Sequence, residues 1–444
     1  MPWKMVRCFR LGLNEKTRQG NILTVDDMIP PREYLTQLNS SVIRLGLAPV
    51  TRLLEYLQNP QDLYASVLIG GTNGKGSIAA TIASILREAG YRTGIYTSPH
   101  LVDLRERIRI NGEMITEEAL DALIDEVRGH VREDVTYFEV LTAVAFLHFC
   151  RRKVDIAVLE VGLGGRLDAT NVVKPVASVI SNISLEHREY LGNRLRDIAR
   201  EKAGIIKDKG VCITAARQKP VLEIFNETCR ERKAKLYRLG GHIRTRRHRN
   251  GVFDYHGISK NYKGLNCSLP GQHQIENAAL ALAAIEILTN NGFPVDDSAV
   301  YGGMQKTHWE GRLEILQAAP RLIVDGGHNP AGVSALCRAL KNDFSYRHLI
   351  LVFGVLHDKN FPLMLKNIAP LADKIIITKP ESERAVSTSE LAEIASLYND
   401  YVEVVEQTGE ALKRALSLAG RHDLICVTGS LYLVGEIKKA FSQM

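Results

Sequence analysis

The sequence predicts an α/β protein of two doubly wound domains, an N-terminal P-loop ATPase domain and a smaller Rossmann-like C-terminal domain. Three observations carry this. Continuous apolar, β-rich runs alternate with helical stripes, which is the pattern of a parallel sheet covered on both faces. That series runs twice, separated by a stretch of different texture. A glycine-rich loop joins the first strong strand to a helix in the stretch "LIGGTNGKGSIAATIASIL", residues 68–86. The length of 444 residues suits two or three domains.

In chain order, the first series predicts strands at "SVLIG" (66–70), "RTGIYTS" (92–98), "VDIAVLEVG" (154–162), "PVASVISNIS" (175–184) and "GVCITAA" (210–216). A helix with an apolar stripe of Ile78, Ile82, Ile85, Leu86 and Ala89 ends at Gly90. From about 236 to 270 the sequence turns polar, "IRTRRHRNGVFDYHG", and predicts a hairpin region. A helix follows over 273–288. The second series predicts strands at 321–327, 348–355, 373–380, 401–406 and 424–430. The expected division is an extension over 1–30, an ATP-binding domain over 31–312 and a second domain over 313–444. Two α/β lobes make a cleft, where substrates usually meet.

Composition narrows the class. The net charge of +7 is mild and suits anionic ligands as well as nucleic acid. The run "RTRRHR" (244–249) has four arginines without interleaved aromatic residues, so it reads as a solvated face, and no nucleic-acid partner is expected. No apolar run is long enough to span a bilayer, so no membrane partner is expected. Seven scattered cysteines without a C-x-x-C pair predict reduced thiols and a cytoplasmic location. A monomer is expected. The first twenty residues, basic with Glu15 as the one acid, share the composition of a transit peptide. They also read as an unstructured extension, or as the product of a start upstream of Met28, and this second reading is preferred.

The loop departs from the common G-x-x-x-x-G-K-[ST] spelling. Gly74 and Lys75 are in place, but Ile69 holds the first glycine slot and Gly76 the hydroxyl slot, with Ser77 one residue late. Such a turn still aims backbone N–H groups and a helix dipole at one spot, which suits phosphate. Lys75 adds a point charge, and Ser77 can reach Mg²⁺. Glu160 ends a predicted buried strand in "LEVGLGGRLDATN" (159–171), where a carboxylate faces the ligand crevice. Beside the loop, Glu160 reads as a metal ligand, with Arg166 and Asp168 in the cleft. His187 follows a further strand end; most lone histidines are packed or surface residues, and its place one strand–helix unit after Glu160 raises it above them. Lys202 lies at i, i+4, i+8 with Ile198 and Ile206, on an apolar stripe. It either snorkels to solvent or is buried with a depressed pKa. A neutral amine there can take up CO₂ as a carbamate.

The spelling "GTNGKGS", with "LEVGLGGRLDATN", "REKAGI", "GQHQIENAALAL", "WEGRLE", "VDGGHNP" and "GSLYLV" in order, resembles the Mur ligase family, and most closely folylpolyglutamate synthases and dihydrofolate synthases. The resemblance runs from about Tyr34 to the C-terminus. It implies ATP binding by Thr72, Asn73, Gly74, Lys75, Gly76 and Ser77, with Asn277 at adenine, Arg312 at the phosphates and Asp325 meeting ATP from the second domain. It implies metal binding by Ser77, Ser98 of "TSPHL", Glu160, His187 and a carbamylated Lys202. Folate contacts would come from Thr136 and Tyr137 of "TYFE" and from Arg166, Leu167 and Asp168. His328 and Ser430 would face glutamate. Two departures stand out: Glu186 where Asp usually precedes His187, and Glu310 where Pro usually precedes the glycine of "WEGRLE".

The implied chemistry is an ATP-dependent amide ligation with Lys75, Glu160, His187, Lys202 and Arg312 as the catalytic set. Two Mg²⁺ ions are the implied cofactors, with K⁺ a further candidate and ATP a substrate. L-glutamate would join a tetrahydrofolate polyglutamate, and also dihydropteroate, through an acyl phosphate. The alternative is a Mur-type peptidoglycan-precursor ligase. Against it, the phosphate loop arrives by residue 71, leaving no room for a separate substrate-binding N-terminal domain. A P-loop GTPase would show an N-K-x-D guanine motif, which is missing.

Overall fold

The computed structural model describes residues 29–38, 44–248 and 251–444. The basic leader and Met28 lie outside the described residues. The first sheet has eight strands: β1 (Ala65–Gly70), β2 (Thr93–Tyr96), β3 (Ile108–Ile110), β4 (Glu113–Met114), β5 (Ile156–Glu160), β6 (Ala177–Ile180), β7 (Val211–Thr214) and β8 (Lys235–Arg238). Their order is β4-β3-β2-β5-β1-β6-β7-β8. β1 lies between β5 and β6 and is parallel to both. Every residue of β1 and β5 is buried. Alternate side chains serve opposite faces, as the two-residue strand period requires. Leu68 and Leu159 join the core under helix Tyr137–Arg151, while Val67, Ile69 and Val158 join the core under helices Lys75–Glu88 and Gln272–Asn290.

The polar stretch after 235 divides differently from the expected hairpin region. Lys235–Arg238 completes the large sheet as its edge strand. The rest forms a separate three-stranded antiparallel sheet of β9 (Arg244–Arg247), β10 (Val252–His256) and β11 (Asn261–Asn266). Its anchor is Glu286, a buried carboxylate in the apolar helix Gln272–Asn290. Glu286 accepts hydrogen bonds from the Tyr255 hydroxyl (2.6 Å), the Ser259 hydroxyl (2.9 Å) and the amides of Ile258, Ser259 and Lys260. Five donors on one carboxylate satisfy a charge that burial would otherwise penalise.

The second domain carries β12 (Glu314–Ala318), β13 (Arg321–Asp325), β14 (Leu349–Phe353), β15 (Lys374–Ile377), β16 (Val402–Val404) and β17 (Leu424–Thr428). The order is β12-β13-β17-β14-β15-β16, all parallel except β12, an antiparallel edge strand that the apolar pattern does not announce. The carboxyl ends of β1 and β5 and those of β13 and β17 supply residues to one shared cavity, the expected ligand position for open parallel sheets.

The phosphate-loop helix Lys75–Glu88 is clamped from outside by helix Asp297–Lys306. Ser84 donates to the Gly303 carbonyl at 2.8 Å, and a Cβ at Gly303 would overlap the backbone of Ile85. Gly303→Val is therefore expected to destabilise the protein by about 1–3 kcal/mol, the usual range for overpacking. Urea unfolding checks this; an unchanged midpoint would show that the two helices can separate without loss.

Candidate active site

The loop after β1 turns on two glycines with positive φ, Gly71 (+125°) and Gly74 (+86°). Side chains rarely adopt these values, and an added Cβ at Gly71 would also overlap Ser181. The helix then starts at Lys75 with no side-chain cap, so its first N–H groups remain available to an anion. Gly76 is tight for a different reason: a Cβ there would lie 2.6 Å from the indole nitrogen of Trp309. Thr72 and Asn73 are held from β6, through Thr72 N–H to the Asn182 carbonyl (2.8 Å) and Asn73 N–H to the Asn182 side chain (3.1 Å).

At this loop three groups converge. The Lys75 ammonium donates to the Thr72 carbonyl at 3.2 Å and lies 3.9 Å from Glu160 Oε1. Glu160 is 5% exposed, and burial raises its carboxyl pKa against the opposing pull of Lys75, the Ser98 amide (3.3 Å) and Arg312. The Ser77 hydroxyl is buried and has no hydrogen-bond partner. A carboxylate short of compensation and an unpartnered hydroxyl are the donor set a hard divalent cation takes. Among the described residues no group of three or more His, Cys, Asp or Glu converges, which suits an ion that draws its other ligands from phosphate oxygens and water. Ser98 lines the same cavity.

The second domain forms the opposite wall. Arg312, Asp325, His328 and Ser430 border the same cavity of about 570 Å³ as Lys75, Ser77, Glu160, His187, Lys202 and Asn277. Asp325 at the end of β13 accepts from the amides of Leu313 and Gly327, both at 3.0 Å. His328 has Nδ1 2.9 Å from the Gly326 carbonyl and Nε2 3.0 Å from Glu186. Both partners are acceptors, so the two bonds coexist only with the doubly protonated ring. Burial pushes the Glu186 carboxyl pKa up, but the hydrogen bond and charge of His328 outweigh it and hold it well below the usual value. Asn277 packs against Gly74, with its amide on Gln274 (2.9 Å). Ser430 caps helix Leu431–Ser442.

His187 adopts φ +49°, and burial lowers its pKa to about 4 despite Glu186 nearby. The imidazole is therefore neutral at physiological pH, the form that can ligate a metal. Lys202 is buried, and its ammonium donates to the Gly71 carbonyl at 2.8 Å. Burial, with the Lys75 charge adding to it, lowers its pKa to about 7. Snorkelling is excluded by this placement. The stripe reading needs one correction: the helix spans Leu195–Ala203, so Ile206, though fully buried, lies beyond its end.

A second chamber of about 1360 Å³ adjoins the first, sharing Glu186, His187 and Tyr432 with it. Tyr137 lines it, and the Arg107 guanidinium stands 5.6 Å over the Tyr137 ring. Thr136 does not line it; its hydroxyl and amide are both spent on Glu139 in a capping box. Arg166, Leu167 and Asp168 line neither chamber. Arg166 is exposed and paired with Glu201 (2.9 Å). Asp168 is buried in its own loop, accepting from the Leu163 and Thr170 amides. These bonds fold the "GLGG" turn, while Arg166 and Glu201 pair beside it.

Sequence reasoning missed His273, Lys359 and Arg384, which border the first cavity, and Trp309, which covers the loop. Arg384 sits in an exposed turn without any motif. Trp309 directly precedes "EGRLE" and was the one within reach.

Two family models match the chain: the Mur ligase middle domain over residues 69–285, and the Mur ligase glutamate ligase domain over residues 311–431. The chain is 34% identical to the dihydrofolate synthase/folylpolyglutamate synthase of Bacillus subtilis over 410 residues, 89% of this chain and 95% of that one. A solved structure of E. coli FolC in complex with DHPP and ADP has 30% identity and a TM-score of 0.87, covering 94% of this chain and 98% of that one. A solved structure of a bifunctional folylpolyglutamate synthase/dihydrofolate synthase with Mn, AMPPNP and L-glutamate bound has 29% identity and a TM-score of 0.84, with 94% of this chain and 98% of that one covered.

The depressed pKa of Lys202 generates a pH-dependent expectation. With its midpoint near 7, the neutral amine rises from about one-tenth at pH 6 to about nine-tenths at pH 8. Only the neutral amine adds CO₂. At fixed CO₂ pressure, ¹³C-labelled CO₂ should give a carbamate NMR signal that grows over that range and is missing in Lys202→Ala. Equal signals in both proteins, or none in the wild type at pH 8, would remove the carbamate.

Proposed function

We propose that this chain, which belongs to the Mur ligase family and to its folylpolyglutamate synthase/dihydrofolate synthase branch, joins the amine of L-glutamate to the terminal carboxylate of a folate polyglutamate and to that of dihydropteroate. The observation that carries this reading is the single cavity bounded on one side by Lys75, Ser77 and Glu160 and on the other by Arg312, His328 and Ser430. A phosphate donor and an amino-acid acceptor can meet there across the carboxylate to be activated. The larger adjoining chamber supplies flat apolar surface for a pterin. Leu185, Tyr190, Leu363 and Tyr432 all line it and are each more than 40% exposed. Such a cluster marks a binding surface. The relatives' bound DHPP and L-glutamate support the same substrate classes.

The reaction follows from the groups present. A carboxylate is a poor electrophile. Its oxygen attacks the γ-phosphorus of ATP, the bond to the β-γ bridging oxygen breaks, and ADP leaves. Lys75, the uncapped start of its helix and Arg312 neutralise charge on the transferring phosphoryl group. Ser77 and Glu160 would hold Mg²⁺, which when bound would supply further neutralisation of phosphate charge. A second ion would fall to Ser98, His187 and the carbamate of Lys202. The glutamate nitrogen then attacks the acyl carbon, the C–O bond to phosphate breaks, and the nitrogen loses a proton. His328 and Ser430 orient the amino acid, and burial between the two lobes keeps water from the acyl phosphate.

Lys75→Ala should fold normally and lose on the order of 10²–10³ in kcat for glutamate-dependent ADP formation, the usual effect of removing one such electrostatic group. Purified protein with ATP, L-glutamate and either tetrahydrofolate or dihydropteroate provides the assay. Wild-type turnover in Lys75→Ala would refute the nucleotide assignment. Turnover with only one acceptor would limit the activity to that substrate.

A further inference from the structure

Asn73 belongs to the phosphate loop, yet its side chain points across the cleft. Asn329 of the second domain donates from Nδ2 to Asn73 Oδ1 at 2.9 Å, and Asn73 Nδ2 lies 3.4 Å from Asn329 Oδ1. The orientation of the Asn329 amide is set by an independent contact. Its Oδ1 accepts from the Gly332 amide at 2.8 Å as the cap of helix Pro330–Asn342, so the nitrogen must face the first domain. That nitrogen also reaches Glu186 Oε1 at 3.3 Å, the oxygen that receives His328 Nε2. Asn329 is 4% exposed, so these bonds are sheltered from water. On the loop side, the Asn73 backbone is gripped twice by Asn182, at 3.1 and 3.2 Å. A continuous polar chain thus runs from the end of β6, through the phosphate loop, to the imidazole beside the proposed amino-acid site.

We propose that Asn329 is a positioning residue that couples nucleotide occupancy of the loop to the amino-acid subsite. The proposal rests on the ligase reading above. Asn73 lies between Gly71 and Gly74 in the loop whose N–H groups would receive phosphate, so an anion seated there acts on the same short segment that presents the Asn73 side chain to Asn329. Asn329 passes that effect to the shared Glu186 oxygen, and so to His328. Both sites therefore bias one set of bonds, which is the condition for a coupling free energy between them. The coupling must be reciprocal: nucleotide tightens glutamate by the factor by which glutamate tightens nucleotide.

The test uses the full chain with Mg²⁺, a non-hydrolysable ATP analogue and L-glutamate. Each Kd is measured by calorimetry with and without saturating amounts of the other ligand. In the wild type each ligand should tighten the other by the same factor, at least about fivefold, the lower end of typical couplings. Asn329→Ser keeps a strong helix cap but is too short to reach Asn73 or Glu186, so the factor should fall to about 1 while the melting temperature changes little. Asn73→Ala leaves the Asn329 cap untouched, removes the loop end of the link and should lose the factor too, which guards against a folding defect in the serine variant. A purely structural Asn329 would lower stability and leave the factor intact, which would overturn the proposal, as would a factor of 1 in the wild type. A wild-type chain without glutamate-dependent ADP formation would instead remove the ligase reading, and the coupling with it.

Discussion

A carboxylate buried at the end of a parallel strand is the constraint on which the site depends. Glu160 leaves water because β5 is packed on both faces, and its nearest cation, the Lys75 ammonium, stands 3.9 Å away and already bonds a loop carbonyl. Beside it Ser77 has a buried hydroxyl with no partner. Groups left in this condition cost stability in the empty protein, and a cation with attached phosphate oxygens relieves both at once. The fold tolerates the arrangement because everything behind it is tightly determined. The loop glycines lack room or conformational freedom for side chains, Trp309 covers Gly76, and the helix after the loop cannot move outward against Gly303.

The cation and anion logic extends to the lysines. Burial, with the Lys75 charge adding to it, drives Lys202 toward its neutral form, and its ammonium has only a carbonyl oxygen as hydrogen-bond partner. An amine in that state is a nucleophile at neutral pH rather than a counter-ion. His187 is neutral for the same reason. The two groups next to the phosphate loop that would repel a metal as cations are thus both driven toward their neutral forms by burial.

Much of this was legible in the sequence because strands and phosphate loops leave strong local signals. The ten predicted strands all occur, since continuous apolar runs bounded by glycine and polar residues can pack only inside parallel sheets. The loop and Glu160 were readable from spacing, whereas for Lys202 spacing left snorkelling and burial both open and the family resemblance pointed to burial. The edge strands β4 and β12, and β3 beside β4, were not readable, because they are short or partly exposed and carry no long apolar run. A motif shows that residues act together, not what each one touches; here Asp168 folds the turn while Arg166 pairs with Glu201. Glu286 was invisible for the opposite reason: it is a single acid in the apolar second half of its helix, and its five donor groups lie 26 to 31 residues away in sequence.

The two departures from the family pattern meet at one structural theme. Glu186, in place of the usual Asp, is long enough to reach across to His328 and Asn329. Glu310, in place of the usual Pro, accepts from Lys438 at 2.6 Å and lies 3.8 Å from Arg109. Lys438 belongs to the last helix of the second domain and Arg109 to β3 of the first, so Glu310 stands between the lobes as Glu186 does. Each substitution exchanges a short or unreactive side chain for a carboxylate that joins polar groups from both domains. Between them lie Trp309 on the loop helix and Arg312 in the cleft, three residues apart on the connecting strand of chain. Charge pairs flanking the site therefore join the two lobes, and at one of them the same Glu186 carboxylate fixes where His328 points.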